Sequence, residues 1–139
     1  MLSSDSSFSL VNGVVMAAVL GAGYLIVNGS WQSVAPPDDA WFQAEVVNRA
    51  EPVLVKFGAV WCPPCRMLDP ELDRLSSEMG GRIAVVRINV DQRPALAQHY
   101  HVSSIPRLLL FKQGKVIADR VGYADHQRLA SWVDGYSGR

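Results

Sequence analysis

Trp61-Cys62-Pro63-Pro64-Cys65 contains the only two cysteines of the 139-residue chain, and it joins two segments of different periodicity. Upstream, Val53-Leu54-Val55-Lys56-Phe57 reads as a buried strand. Downstream, Met67, Leu68, Leu72, Leu75 and Met79 fall at helical spacing between Arg66 and Met79. The first cysteine therefore stands where a strand hands over to a helix N-terminus. Unpaired backbone N–H groups and the positive end of the helix dipole favour a thiolate there. Pro63 and Pro64 suit the first helical turn, because neither has an N–H that the helix must satisfy. Two thiols this close can close a small disulfide ring, so the segment can cycle between dithiol and disulfide on its own.

Two other uses of a cysteine pair fit less well. A structural disulfide acts mainly through the loop it closes, and a loop this short constrains the unfolded chain very little. A zinc site takes about four ligands; His99, His101 and His126 are scattered and supply no second ligand pair, so no metal is expected. A redox dithiol is the better reading.

Thirteen basic and thirteen acidic residues cancel, with no basic patch to suggest nucleic acid and no acidic tail. A hydrophobic fraction of 49% is enough for a core without a disulfide staple.

Residues 1–9 form a polar tail. From Leu10 to Val27 the chain carries no charge, and as a helix this run would span roughly 27 Å, close to the hydrocarbon thickness of a bilayer. Gly13, Ala17 and Gly21 make a small-residue face, and Tyr24 and Trp31 fall near its C-terminal end. The expectation is a hydrophobic helix over residues 10–28 that anchors the chain in a membrane through residues 10–27. A cleaved signal peptide is a second reading, but the positive n-region is missing and Ser33-Val34-Ala35 is followed by Pro36. A soluble helix buried by self-association is a third. Every Lys and Arg lies at or beyond Arg49, so charge near the span does not set its orientation.

Residues 29–37 read as a linker ending in a first strand around Ser33 to Ala35, and residues 33–139 as one domain. Asp38 and Asp39 offer an N-cap to a helix carrying Trp41, Phe42, Val46 and Val47, which ends before Pro52. Pro70 is expected to kink the cysteine helix, and Gly80-Gly81 to end it. A strand from Ile83 to Val90 and a short helix from Asp91 to Tyr100 follow. Lys112-Gln113-Gly114-Lys115 reads as the turn of a hairpin between Arg107–Phe111 and Val116–Val121. A closing helix from Asp125 to Tyr136 points Leu129, Trp132 and Val133 inward. The order is β-α-β-α-β-α-β-β-α, an α/β fold with a central mixed sheet flanked by helices.

At this point the chain resembles the thioredoxin family over about residues 33 to 137. The resemblance rests on Val53 to Phe57, Trp61 to Met67, Pro70, Asn89-Val90-Asp91, Ile105-Pro106, Leu109 to Gly114 and Val121-Gly122, in that order. It implies the thioredoxin fold, with Cys62 as the attacking thiol and Cys65 as the resolving thiol. It also implies a cis proline at Pro106 and a shallow docking surface formed by Trp61, Ile105, Pro106, Gly122 and Tyr123.

Four departures from the family pattern stand out. Pro63-Pro64 replaces the usual Gly-Pro, which stiffens the loop, deletes a backbone donor and should shift the reduction potential. Gly58 stands where a second tryptophan is common, which reads as less apolar cover near the cysteines. Arg107 after Pro106 reads as a positive charge beside the docking loop. Lys56 replaces a buried aspartate that serves the family in proton transfer. An unpaired ammonium on a central strand is costly to bury, and Arg87 on the neighbouring strand adds a like charge. Asp69, four residues after Cys65 on the same helix face, is the expected partner of Lys56; Asp69, or Lys56 if burial lowers its pKa, is the candidate to assist deprotonation of Cys65.

Read together, these features describe a membrane-tethered thiol–disulfide oxidoreductase that reduces disulfide-containing protein substrates. It needs no cofactor and takes electrons from an external dithiol donor. The tethered domain is expected on the extracytoplasmic side, by family analogy; the cytoplasmic face or a soluble protein are the alternatives. An oxidase or isomerase using the same cysteines, and a non-catalytic adaptor on a thioredoxin fold, are the rival functions.

Overall fold

The computed structural model describes residues 36–137. The elements are α1 (Ala40–Phe42, continued by a π-helical turn over Gln43–Val47), β1 (Val53–Gly58), α2 (Pro63–Met79), β2 (Ala84–Asn89), α3 (Pro94–His99), β3 (Arg107–Lys112), β4 (Lys115–Val121) and α4 (His126–Ser137). The tail at 1–9, the hydrophobic helix expected over 10–28 and the strand expected at Ser33 to Ala35 lie outside the described residues. Among the described residues no helix is long and apolar enough to cross a membrane.

The strands form one mixed sheet in the order β2-β1-β3-β4. β1 runs parallel to β2, and β3 is antiparallel to both β1 and β4, with a bulge at Leu110/Phe111. All six residues of β1 are buried, as its central place requires. Strand periodicity divides them between two cores. Val53, Val55 and Phe57 pack with Phe42, Val46, Tyr100, Leu109 and Phe111, while Leu54 joins Leu68, Leu72, Leu75, Leu108, Leu110, Leu129 and Val133. Lys56 alternates onto the face of Leu54, beneath α2.

Helix α2 begins at Cys62, whose extended backbone (φ −96°, ψ 106°) is what a residue before proline adopts and what an N-cap needs. Pro70 lies inside it, and the helix runs on to Met79. Gly80 ends it in the left-handed conformation, φ 53°, with its N–H returning to the Ser76 carbonyl. Leu68, Leu72 and Leu75 are fully buried, and each contributes about 2 kcal/mol of apolar burial.

Three local expectations need correction. Trp41 does not belong to the buried stripe of α1: Phe42 and Val46 carry it, and Trp41 lies at the surface with the Arg93 guanidinium 4.0 Å from its ring centre. Helix α3 starts at Pro94 instead of Asp91, because the Gln92 and Arg93 N–H groups turn back to the Asn89 carbonyl. Trp132 is only partly buried, while Leu129 and Val133 are fully inside. The hairpin turns on Gln113 and Gly114, both with positive φ, the pattern of a two-residue type I′ turn. Helix α4 is held to α2 by Glu71, whose carboxylate accepts the His126 backbone N–H and lies 2.9 Å from His126 Nδ1.

Candidate active site

Cys62 and Cys65 are joined by a disulfide at the head of α2, with their Cα atoms 5.3 Å apart. With prolines at the first two helical positions, Cys65 supplies the first backbone N–H of the helix, and it reaches Cys62 Sγ at 3.3 Å. That hydrogen bond and the helix terminus both favour negative charge on Cys62 sulfur once the disulfide opens. Cys62 and Cys65 are only 4% and 1% exposed, packed with Ala59, Val90 and Ile105. Trp61 beside them is 65% exposed, as are much of Val60 and Met67.

The Ile105–Pro106 peptide is cis, and Ile105 packs directly on the cysteine pair. The Pro106 carbonyl accepts the Gly122 N–H at 2.8 Å, which brings the start of β3 and the end of β4 together beneath half-exposed Tyr123. Trp61 is held from another side: its indole N–H donates to Asp91 Oδ2 at 2.8 Å. Asp91 was legible only as part of a motif, and its hold on Trp61 comes from a loop thirty positions away. Arg107 does not place its charge on the docking loop. It is 7% exposed, with Nε and Nη2 on the two oxygens of Asp119 and Nη1 on the His101 carbonyl. Burial forces it toward the carboxylate diagonal to it on β4, two residues from its direct partner Val121.

Behind the cysteines the structure brings Lys56, Asp69 and Arg87 together. Lys56, 6% exposed, donates to Asp69 Oδ1 at 2.5 Å, and Arg87 Nε donates to the same oxygen at 3.0 Å. Arg87 also reaches the Asp69 carbonyl and the exposed Asp73. Partial burial raises the energy of the Asp69 carboxylate, but the hydrogen bonds and charges of Lys56 and Arg87 outweigh it and hold the carboxyl below its ordinary range. These residues border an open cleft of about 300 Å³, which Gly58, Ala59, Arg66 and Asn89 also line. Gly58 is therefore not a bare patch on the docking surface; it is the last residue of β1, buried against Cys65.

The family model for thioredoxin matches residues 33–135. The chain belongs to the thioredoxin family. It is 42% identical to a thioredoxin of Pyropia yezoensis over 104 residues, 75% of this chain and 97% of the relative. It is also 42% identical to thioredoxin C-2 of Corynebacterium nephridii over 96 residues, 69% of this chain and 89% of the relative. A thioredoxin of Haemophilus influenzae is 42% identical over 97 residues, 70% of this chain and 91% of the relative.

As a member of the thioredoxin family with an intact cysteine pair, the chain is a thiol–disulfide oxidoreductase. The site can exchange electrons by making and breaking S–S bonds, because both sulfurs are within bonding reach and a helix terminus favours the thiolate. Among the described residues, no group of three or more His, Cys, Asp or Glu side chains could hold a metal ion.

Proposed function

We propose that this chain reduces protein disulfides through Cys62 and Cys65 while tethered to a membrane by residues 10–27, with the domain from residue 33 onward on the extracytoplasmic side. The observation that carries the chemistry is a cysteine pair closed at a helix N-terminus, with Ile105 packed against it and Trp61 exposed beside it. Cys62 thiolate attacks a substrate disulfide and forms a mixed disulfide, and one substrate sulfur leaves as thiolate. Cys65 thiolate then attacks Cys62 Sγ, the Cys62–substrate bond breaks, and the electron pair leaves on the second substrate sulfur. Two electrons pass to the substrate, and an external dithiol must return them. Trp61, Ile105, Pro106, Gly122 and Tyr123 form the docking surface for an extended substrate segment. The tether is supported by the uncharged run from Leu10 to Val27, which precedes the matched region. The extracytoplasmic side is supported by where disulfide-bearing clients persist.

The purified full-length chain should catalyse insulin reduction by dithiothreitol. Cys62→Ser should abolish it, and Cys65→Ser should accumulate a mixed disulfide; full activity in Cys62→Ser would overturn the assignment. The intact chain should stay with membranes in alkaline carbonate and lose its domain to protease in spheroplasts. Release by carbonate counts against the tether, and protection from protease reverses the orientation.

A further inference from the structure

Cys65 is buried, yet it must become a thiolate before it can attack Cys62 in a mixed disulfide. A thiolate in an apolar setting is costly, so the charges that face Cys65 decide how readily it forms. Lys56 stands across Gly58 from Cys65, and the charges around Lys56 come from three elements. Lys56 lies on β1, Arg87 on β2, and Arg66, Asp69 and Asp73 on α2, with Asp73 largely in solvent. Asp91 faces the other way, toward Trp61.

Lys56 approaches the sulfur across Gly58. A Cβ at Gly58 would sit 3.2 Å from Lys56 Cε and 3.3 Å from both Cβ and Sγ of Cys65. The lysine stem and the cysteine sulfur thus face each other across a gap that one methyl group would fill. Gly58 leaves that gap open, and its backbone adopts no conformation that demands glycine. On the far side, Asp69 fixes Lys56 Nζ but shares its oxygen with Arg87. Arg87 is paired further out with Asp73 in solvent, which leaves Lys56 as the buried cation beside Cys65.

We propose that Lys56 is a positioning residue for the Cys65 thiolate: its ammonium favours the charged sulfur across the gap at Gly58, and Asp69 sets how much of that charge Cys65 experiences. The inference rests on the dithiol function proposed above. Asp69 then acts as a counter-ion and not as the base expected from sequence, because a carboxylate held by two cations has little affinity for a proton. In the resolving step the Cys65 proton passes to solvent. Cys65 Sγ bonds to Cys62 Sγ, the Cys62–substrate bond breaks, and the departing sulfur takes its proton from solvent.

Stabilising a thiolate stabilises the reduced dithiol against the neutral disulfide, which makes the pair more oxidising. Because a buried thiol ionises above the ordinary thiol range, the test measures the Cys62–Cys65 midpoint in the full-length chain at about pH 9, equilibrated with glutathione redox buffers and read by thiol alkylation and mass. Resolution of a Cys62 mixed disulfide is followed from pH 6 to 9 in parallel. Lys56→Met should shift the equilibrium about tenfold toward the disulfide, roughly 30 mV more negative, and move resolution to higher pH. Gly58→Ala should act in the same direction with a smaller effect, and Lys56→Arg should restore most of the wild-type midpoint. Asp69→Asn should act in the opposite direction, with a less negative midpoint and resolution at lower pH. General damage to the site would not give opposite signs for the two partners of one ion pair. Shifts of the same sign, or none, in Lys56→Met and Asp69→Asn overturn the proposal. The midpoint needs only the cysteine pair, so failure of the wild-type chain to reduce insulin counts separately, against the proposed function.

Discussion

Asp119→Ala tests Arg107, which with Lys56 is one of two charged side chains buried among the described residues. Arg107 is 7% exposed, and Asp119 takes two of its N–H donors while the His101 carbonyl takes a third. Removing the carboxylate leaves a guanidinium buried without its counter-charge, which costs about 3–5 kcal/mol in comparable sites. Asp119 is 24% exposed, so water can partly fill its place, and the expected loss is near the lower end, about 3 kcal/mol. With a urea m-value of about 1.5 kcal/mol per M for a domain of this size, the unfolding midpoint should fall by about 2 M. Arg107→Met in the Asp119→Ala background should recover most of that loss, because an apolar side chain needs no partner. The assay is urea unfolding of the two single variants and the double variant, followed by circular dichroism. A midpoint shift below about 0.5 M in Asp119→Ala, or additive losses in the double variant, would refute the view that a buried ion pair holds β3 to β4 here.

Glu71 is held below its ordinary value near 4.5, first by the hydrogen bond from the His126 ring and then by the His126 backbone N–H. Its contribution to stability is therefore complete above that value and is lost as pH falls through the lower folded value. Unfolding titrations should show wild type and Glu71→Gln converging as pH drops below about 4.5, and a gap that does not change with pH would contradict this. Trp61→Ala should lower kcat/KM for insulin about tenfold, about 1.4 kcal/mol, with little change in the urea midpoint, because the ring is mostly exposed. A midpoint loss without a kinetic loss would move Trp61 out of the docking surface. Gly114→Ala should cost roughly 2–4 kcal/mol, since φ is 74° and the new Cβ would lie 2.8 Å from Val47 Cγ1. Val47→Ala in that background should relieve the contact part of the loss, and an unchanged midpoint in Gly114→Ala would refute the clash.

The features legible in the sequence are those governed by neighbours along the chain. The alternation of Val53, Val55 and Phe57 marks a buried strand, and the spacing of Leu68, Leu72 and Leu75 marks a buried helix face. Gly80 marks a helix stop and Gln113-Gly114 a tight hairpin, because each is dictated by backbone dihedrals within a few residues. The position of the cysteine pair at a strand–helix junction follows from the same local signals. Long-range placement was not legible. Arg107 reads as a surface charge until the pairing of β3 with β4 sets Asp119 within its reach. Gly58 reads as missing surface cover, yet the packing of α2 on β1 makes it the gap between Lys56 and Cys65. Asp69 is a candidate from its helix face, but register decides that it serves two cations, because Lys56 and Arg87 stand side by side in the β1–β2 pairing. The sequence by itself determined the chemistry the chain carries and the elements that carry it, since both depend on local spacing. Beyond the Lys56–Asp69 pair, which helix spacing already suggested, only the tertiary structure decided which charges meet, because a buried charge must find its partner across the fold and not along the chain.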